Sequence, residues 1–262
     1  MNPPAISNRH VLVAVGIIVL ASHALAWTPK PVKDDPLVRM PGTQPGQVVD
    51  LESDKQCLSC HGGFEPDHWR GALMAQSGRD PIFWAGLTVA AQDAIWALGT
   101  PNAADICVKC HFPQGWLDGR SDPVNASLMR GEDYEGVTCK VCHYMYDPFF
   151  QTTYNGTREG SAWTNYWDEI GTLPQTEAAK TYRADTNAAA LTKLFNGNRF
   201  YSNNVPGSPT YTENGGGHIF LITDNLDTGT TDAKRGPFAD AVGKHEQLYS
   251  RYHKSKYFCG TC

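Results

Sequence analysis

The sequence predicts a mainly α fold with extensive loops and little β structure, and three observations carry that prediction. The pattern Cys-x-x-Cys-His occurs three times, at Cys57, Cys60 and His61, at Cys107, Cys110 and His111, and at Cys139, Cys142 and His143. The chain then stops at Cys259-Gly-Thr-Cys262, one residue short of a fourth copy. Its 262 residues include 25 Gly and 17 Pro, a composition that favours turns and irregular connections over long regular elements. Only one long helix is strongly signalled, between Asp80 and Gly99, among otherwise short helical runs.

The repeated pattern points to chemistry as well as to fold. Two thiols three residues apart attach the vinyl groups of a c-type haem, and the adjacent histidine becomes the proximal iron ligand. The four pairs use all eight cysteines, so none is left for a separate disulfide, a nucleophile or another Cys-rich site. A Cys-x-x-Cys pair is also half of a tetrahedral zinc site. Three histidines at the same offset fit haem better. The expected architecture is therefore that of a multihaem cytochrome c, with short helices packed around covalently bound haems at three complete sites and a truncated fourth. Porphyrin surface would let such a loop-rich chain bury a core.

In chain order, residues 1–26 read as a secretory signal: Arg9, an apolar run from Val11 to Leu20, then Ala24-Leu25-Ala26 as the cleavage box. The run is short for a membrane span, with an uncleaved anchor as the alternative. Residues 27–54 lack periodicity and are rich in Pro and Gly, an extended lead-in. The multihaem domain is expected over 55–262. A short helix is read over His68–Gln76. The strong helix has Asp80 as N-cap, Pro81 at its first position, an apolar face of Phe83, Trp84, Leu87, Ala91, Ala94, Ile95 and Leu98, and Gly99 as its stop. Asn102 is read as the cap of a further helix running into the second motif. Motif starts are separated by 50, 32 and 120 residues. The last gap holds a haem-free insertion at about 150–215, with Tyr154, Trp163, Tyr166 and Trp167, a helix near Asp185–Phe195, and then a short strand at His218–Thr223.

Haem iron has two axial positions, and each motif histidine fills one. Outside the motifs and the signal, the chain offers His68, His218, His245 and His253 as distal ligands, matching three complete motifs and a truncated one. Met74 is a weaker thioether candidate, with Met129 and Met145 behind it, since methionine more often fills core. Asp224, Asn225, Asp227 and Asp232 could hold calcium, but their spacing does not fit an EF-hand and a solvated turn is the better reading. The glycosylation tripeptides at Asn125 and Asn155 are read as chance.

Formal charge is −5, or −6 once Arg9 leaves with the signal, and haem propionates would add to it. With no Lys/Arg block to neutralise phosphates, nucleic acid is excluded as a partner. The acidity suits a basic docking surface on a redox partner, or simply solubility.

Taken together, these residues resemble the exported multihaem cytochromes c of bacteria, broadly related to the tetrahaem carriers that serve hydroxylamine oxidation. The likeness rests on the three motifs and on Trp69-Arg70-Gly71, Gly78-Arg79-Asp80-Pro81, Gly115-Trp116-Leu117-Asp118-Gly119-Arg120-Ser121, Gly136-Val137-Thr138-Cys139, Arg235-Gly236-Pro237-Phe238 and Cys259-Gly260-Thr261-Cys262. It spans about Gln56 to Cys262, without a matching phrase between Gln151 and Tyr211. In similar proteins the last phrase continues into histidine, so the chain is read as a truncated member. The resemblance implies closely stacked, mostly bis-histidine haems and electron transfer. It further implies an exported, periplasmic setting, with an outer-membrane or extracellular one left open, and redox partners such as other cytochromes or quinol-linked membrane complexes. Two rival functions stay open: an oxidoreductase acting on a small nitrogen or sulfur compound at a five-coordinate haem, and a subunit of a haem filament or outer-membrane conduit. No Cys-x-x-Cys-Lys variant marks a catalytic haem.

Overall fold

Local signals decide the longest motif-bearing half of the fold. The computed structural model describes residues 30–35, 38, 42–48, 51, 54–62, 66–146, 172–191, 217, 219–222, 233–254 and 256–262. The signal segment, His218, the acidic 224–232 loop, the aromatic residues at 154–167 and the Asn155 tripeptide lie outside the described residues. Helices α1 (Asp54–Leu58), α2 (Pro66–Arg70), α3 (Pro81–Leu98), α4 (Asp105–His111), α5 (Pro113–Leu117), α6 (Cys139–Tyr144), α7 (Thr172–Leu191) and α8 (Lys256–Cys259) make the fold largely helical. Among the described residues, strand structure is confined to β1 (Lys234–Gly236) and β2 (Gln247–Tyr249). Among the described residues no helix is long and apolar enough to cross a membrane.

The ends of α3 follow its sequence signals. Asp80 accepts the Ile82 N–H at 2.9 Å, Pro81 opens the first turn, and Gly99 at φ 76° closes the last by donating to Ile95 O. Phe83, Leu87 and Ala94 are buried, whereas Ile82, Val89 and Trp96 form an exposed stripe. Ile95 and Leu98 were expected on the buried face but are 43% and 41% exposed. Leu98 lines an open trough rather than packed core. Trp84 and Phe83 meet Phe112 with ring centres 5.3 and 5.6 Å apart, and Phe112 meets Tyr134 at 5.4 Å. This cluster fastens α3 to the segment after α4. Burying Phe112 completely contributes about 1.5–3 kcal/mol.

The turn before α4 corrects the expected cap. Thr100, not Asn102, caps a 3-10 turn at Pro101–Ala104 by accepting the Asn102 N–H. Asn102 is buried instead, and its side-chain amide donates to Lys30 O and Asp35 Oδ2, both at 2.9 Å. That bond and the Gly46 N–H to Leu117 O bond at 2.8 Å tie the lead-in onto the core. It is a fitted strap with a 3-10 turn at Val32–Asp34 rather than a plain extended arm.

The helix read over His68–Gln76 is also revised. Only α2, ending at Arg70, is regular, and turns continue to Arg79. Gly136 closes against this stretch. At φ +70° it packs so near Met74 O that a Cβ would sit 2.4 Å away, a position only glycine tolerates.

The strand expected at His218–Thr223 is replaced by single bridges, Gly42 to Ile219 and Met145 to Leu221. Residues 219–222 are all buried, because an unbroken Ile-Phe-Leu-Ile run is apolar on both sides. The insertion helix begins earlier than expected: α7 starts at Thr172 and ends at Leu191. Thr181 donates to Tyr249 O and Asp185 pairs with Arg235 at 2.8 Å, so the alanine-rich α7 docks on β1 and β2. Those strands pair in parallel, Arg235 opposite Leu248.

Candidate haem centres

Helical spacing sets the local geometry of each motif, since residues three apart share a helix face. Cys107 and Cys110 lie within α4, which ends at His111; Cys139 and Cys142 lie within α6, followed at once by His143. Cys57 closes α1 into a turn in which the His61 N–H bonds Cys57 O at 2.9 Å. Cys259 ends α8, and Cys262 follows. All eight cysteines are free of disulfides.

Two histidines expected as distal ligands stand beside motif histidines. His61 and His245 have ring centres 6.2 Å apart, and His143 and His253 have theirs 6.4 Å apart. An imidazole nitrogen lies about 2.0–2.1 Å from a bound metal and about 1.1 Å from its own ring centre, so two rings sharing one metal stand roughly 6.3 Å apart. Both pairs match that spacing. They are neighbours as well, because the charges of His61 and His245 act on His143.

The motif histidines are oriented by main-chain carbonyls. His111 Nδ1 lies 3.0 Å from Ser77 O, and His143 Nδ1 lies 2.6 Å from Arg235 O. A carbonyl can only accept, so each Nδ1 carries the proton and each Nε2 keeps a lone pair for a metal. Burial pushes the His143 pKa down against the opposing Arg235 bond. His253 is pushed down to about 3, chiefly by burial. Both are therefore neutral at physiological pH, the form a metal requires. Beyond that, His253 Nε2 lies 2.9 Å from Cys142 O, while its buried Nδ1 has no hydrogen-bond partner. A buried lone pair without a partner is uncommon in folded proteins.

The second motif is built differently. Phe83 stacks on His111 at 4.0 Å with the rings 15° from parallel, and among the described residues no second imidazole packs against it. Beside Cys107, a trough of about 430 Å³ runs between α3 and the α4 turn, lined by Ala90, Ala94, Ala97, Leu98, Ala104 and Ile106 among others. Small apolar side chains there leave room for a flat apolar group at the thiol. Cys110 hydrogen-bonds Cys262, which pushes the Cys110 pKa up and the Cys262 pKa down. The half motif thus lies against the second complete one. Phe258, on α8, also packs at 4.4 Å on His253.

Beneath α4 lies a buried polar group. Asp105 Oδ2 accepts Trp116 Nε1–H at 2.7 Å, and Lys109 sits 4.4 Å above the Trp116 ring. Burial raises Asp105 to about 6 and lowers Lys109 to about 7.

Other candidates are scattered. His68 is exposed on α2, and Met74 is 52% exposed. Met129 and Met145 are buried core, with Met145 sulfur contacting Tyr252. Among the described residues no group of three or more His, Cys, Asp or Glu side chains could hold a metal by itself, so the tetrahedral zinc reading finds no support there. The donor set is compatible with haem: paired thiols, a histidine directly after three of the pairs, oriented by a carbonyl at the second and third, and at two motifs a second imidazole at the right remove. Sequence reasoning missed Ser77, Phe83 and Arg235 as supports. All three lie in or within two residues of Gly78-Arg79-Asp80-Pro81 and Arg235-Gly236-Pro237-Phe238, two of the phrases that carried the resemblance, so those phrases were the available signal.

Compared with protein-family profiles, curated proteins and solved structures, the chain has no significant match.

Proposed function

We propose that this chain is an exported multihaem c-type cytochrome that passes electrons between redox partner proteins. The observation that carries the reading is the pair of imidazole pairs, His61 with His245 and His143 with His253, each joining a motif histidine to a distant one at metal-spanning distance. Haem c supplies one-electron chemistry when bound, and six-coordination suits it to transfer rather than catalysis. In this reading the thiols of Cys57 and Cys60, Cys107 and Cys110, and Cys139 and Cys142 hold the groups covalently, with Cys259 and Cys262 as half of a further site. His61, His111 and His143 bind on one side, and His245 and His253 bind opposite the first and third.

Ser77 and Arg235 carbonyls hold the proximal rings and raise their basicity, which favours the oxidised metal. Neighbouring first and third sites keep transfer distances short. A bis-histidine pair inside the same fold also leaves little rearrangement on changing oxidation state.

The test is production with a c-haem attachment system in an exporting host, followed by haem-to-protein stoichiometry. Three haems per chain, mainly low-spin, are expected; haem-free protein would sink the proposal. A second reading rests on the His111 surroundings: the second site, with Phe83 on its histidine, would be five-coordinate and act on a small nitrogen or sulfur compound. A high-spin signal that shifts with nitrite, hydroxylamine or carbon monoxide would favour it over the pure carrier.

A further inference from the structure

Helix α3 carries a second apolar face, away from its buried one. Ile82, Val89 and Trp96 recur every seven residues and are 78%, 56% and 90% exposed. At about 100° per residue this spacing keeps all three within about 20° of one line along the helix. Ala85 and Gly86 lie exposed between them, and a Cβ added at Gly86 would meet no atom within 4 Å. Glycine weakens a helix interior, and packing among the described residues creates no need for one there. Asp93 is the single ionised side chain in the 18 residues of α3, so the face is almost uncharged as well. Ala90, Ala94 and Ala97 of the trough beside Cys107 lie roughly 80–140° further round the helix, which makes stripe and trough separate faces. An exposed apolar stripe of this kind marks an interaction surface.

Symmetry, shape, charge and area all indicate a second copy of this chain as the occupant. The stripe is symmetric about Val89, with Ile82 seven residues before it and Trp96 seven after. Two antiparallel α3 helices crossing at Val89 therefore set Ile82 against Trp96 twice, as a self-complementary dimer surface requires. Ile82, Ala85, Gly86 and Val89, at i, i+3, i+4 and i+7, frame a four-residue hole of the kind that receives a knob from a facing helix. Helical side chains lean toward their own N-terminus. In the antiparallel pair, Trp96 of the second copy thus leans from the level of Ile82 over Ala85 and Gly86, which are small enough to receive an indole. The two Asp93 carboxylates fall about 12 Å apart along the axis, beyond the screening length of about 8 Å at physiological salt; a parallel pair would set them side by side. Ile82, Val89 and Trp96 together expose roughly 350 Å² per copy. Pairing then buries roughly 700 Å² of apolar surface, and at an apolar share of about 60% the whole interface reaches roughly 1,200 Å². That is about the lower bound for a specific, stable contact.

We propose that the chain forms a twofold dimer through α3, the two helices antiparallel and crossing at Val89, with Trp96 of each copy seated in the hole between Ile82 and Val89 of the other. The proposal does not depend on the haem reading. The twofold axis of such a pair is perpendicular to both helices and to the line joining them. The troughs beside Cys107 of the two copies therefore open on the same side of the dimer.

The test measures the mass of the full chain by sedimentation equilibrium at about 1–200 μM, the range suited to an interface of this size, with circular dichroism as the check on folding. Wild type should pass from monomer to dimer over that range. Ile82→Lys and Trp96→Glu alter exposed positions, so each should fold and stay monomeric, its dissociation constant raised at least about 100-fold because the change occurs twice per dimer. Mixed in equal amounts, the two variants should dimerise again: antiparallel pairing sets the new ammonium against the new carboxylate and leaves the other Ile82–Trp96 contact native. Gly86→Leu fills the hole from a position with open space around it in the monomer. It should block dimerisation while keeping full helix content, and it decides the matter if a charged variant fails to fold. Wild type that stays monomeric throughout overturns the proposal, including a monomer that binds phospholipid vesicles, which would assign the stripe to a lipid surface. Folded variants that dimerise like wild type overturn it by placing the contact elsewhere, and a mixture that stays monomeric overturns the antiparallel pairing.

Discussion

Replacing His245 by alanine should convert one low-spin haem to high-spin while leaving the fold intact. His245 is only half-buried, and its two polar contacts, Glu246 O and Gln247 Nε2, are both 3.3 Å from Nδ1, at the weak end of hydrogen bonding. Its loss should cost stability within about 0.5 kcal/mol, as at other surface positions without special contacts. The contrast is His253, buried under Phe258 at 4.4 Å, where truncation to alanine opens a cavity and costs about 2–4 kcal/mol. His245 therefore separates ligation from folding. With three complete motifs, the expected change is one haem in three leaving the low-spin state, read by electron paramagnetic resonance on protein with full haem stoichiometry. Added imidazole should restore it by occupying the open position. If His245→Ala keeps the wild-type low-spin intensity, the 6.2 Å spacing to His61 does not mark a coordination site, and the argument from ring separation fails for His143 and His253 too.

Ala97→Trp fills the trough beside Cys107 from an exposed position on α3, so the chain should fold normally yet carry two haems rather than three; a count of three would show that the trough receives no porphyrin. Burial raises the Asp105 carboxyl to about 6 in the folded chain, more than its bonds to Trp116 and Ser121 and the Lys109 charge lower it, and its unfolded value is about 3.9. The raised value means that stability from the protonated form is complete below about pH 4 and is lost as pH rises through 6, by roughly 2–3 kcal/mol. Asp105→Asn still accepts the Trp116 N–H and should lack that loss. Urea midpoints measured from pH 4 to 7 should diverge in favour of the variant, and parallel curves would contradict the burial argument. Asp80→Ala removes the cap of α3 and should cost about 1 kcal/mol, seen as a fall of about 2–4 °C in Tm; an unchanged Tm would mean that tertiary packing alone fixes that end.

What the sequence made legible was local. Asp80, Pro81 and Gly99 mark both ends of α3 because each acts within one turn of itself. Periodicity grouped Ile95 and Leu98 with Phe83 on one apolar face, but they are exposed where Phe83 is buried, because a period cannot say what covers each part of a face. Asn102 and Thr100 are equally good caps on paper. Asn102 was claimed by Lys30 and Asp35, which lie 72 and 67 residues away. The helix expected near Asp185 begins at Thr172, and Asp185 is held inside α7 by Arg235, 50 residues on. Three-residue strands such as β1 and β2 are too short to leave any alternation in the sequence. The four spare histidines could be counted but not assigned, since pairing depends on where the 237–246 connection is carried.

That connection shows how a loop-rich chain can bring distant histidines into pairs. Each motif histidine comes automatically with its cysteines, one residue after the second thiol, whereas His245 and His253 must return from 184 and 110 residues away to meet His61 and His143. Closing such loops is costly in entropy, though the cost grows only slowly with length. The return segment is held at several points rather than one. Arg235 joins α7 through Asp185 and His143 through its carbonyl, and β2 holds β1 in register. Thr181 reaches Tyr249 O, and Ser250 N–H bonds Gly236 O at 2.8 Å. His253 then follows within one turn of a segment already fixed. The insertion between the third and fourth motifs is thus part of the third site's frame, because its helix supplies the carboxylate that keeps Arg235, and through it His143, in place.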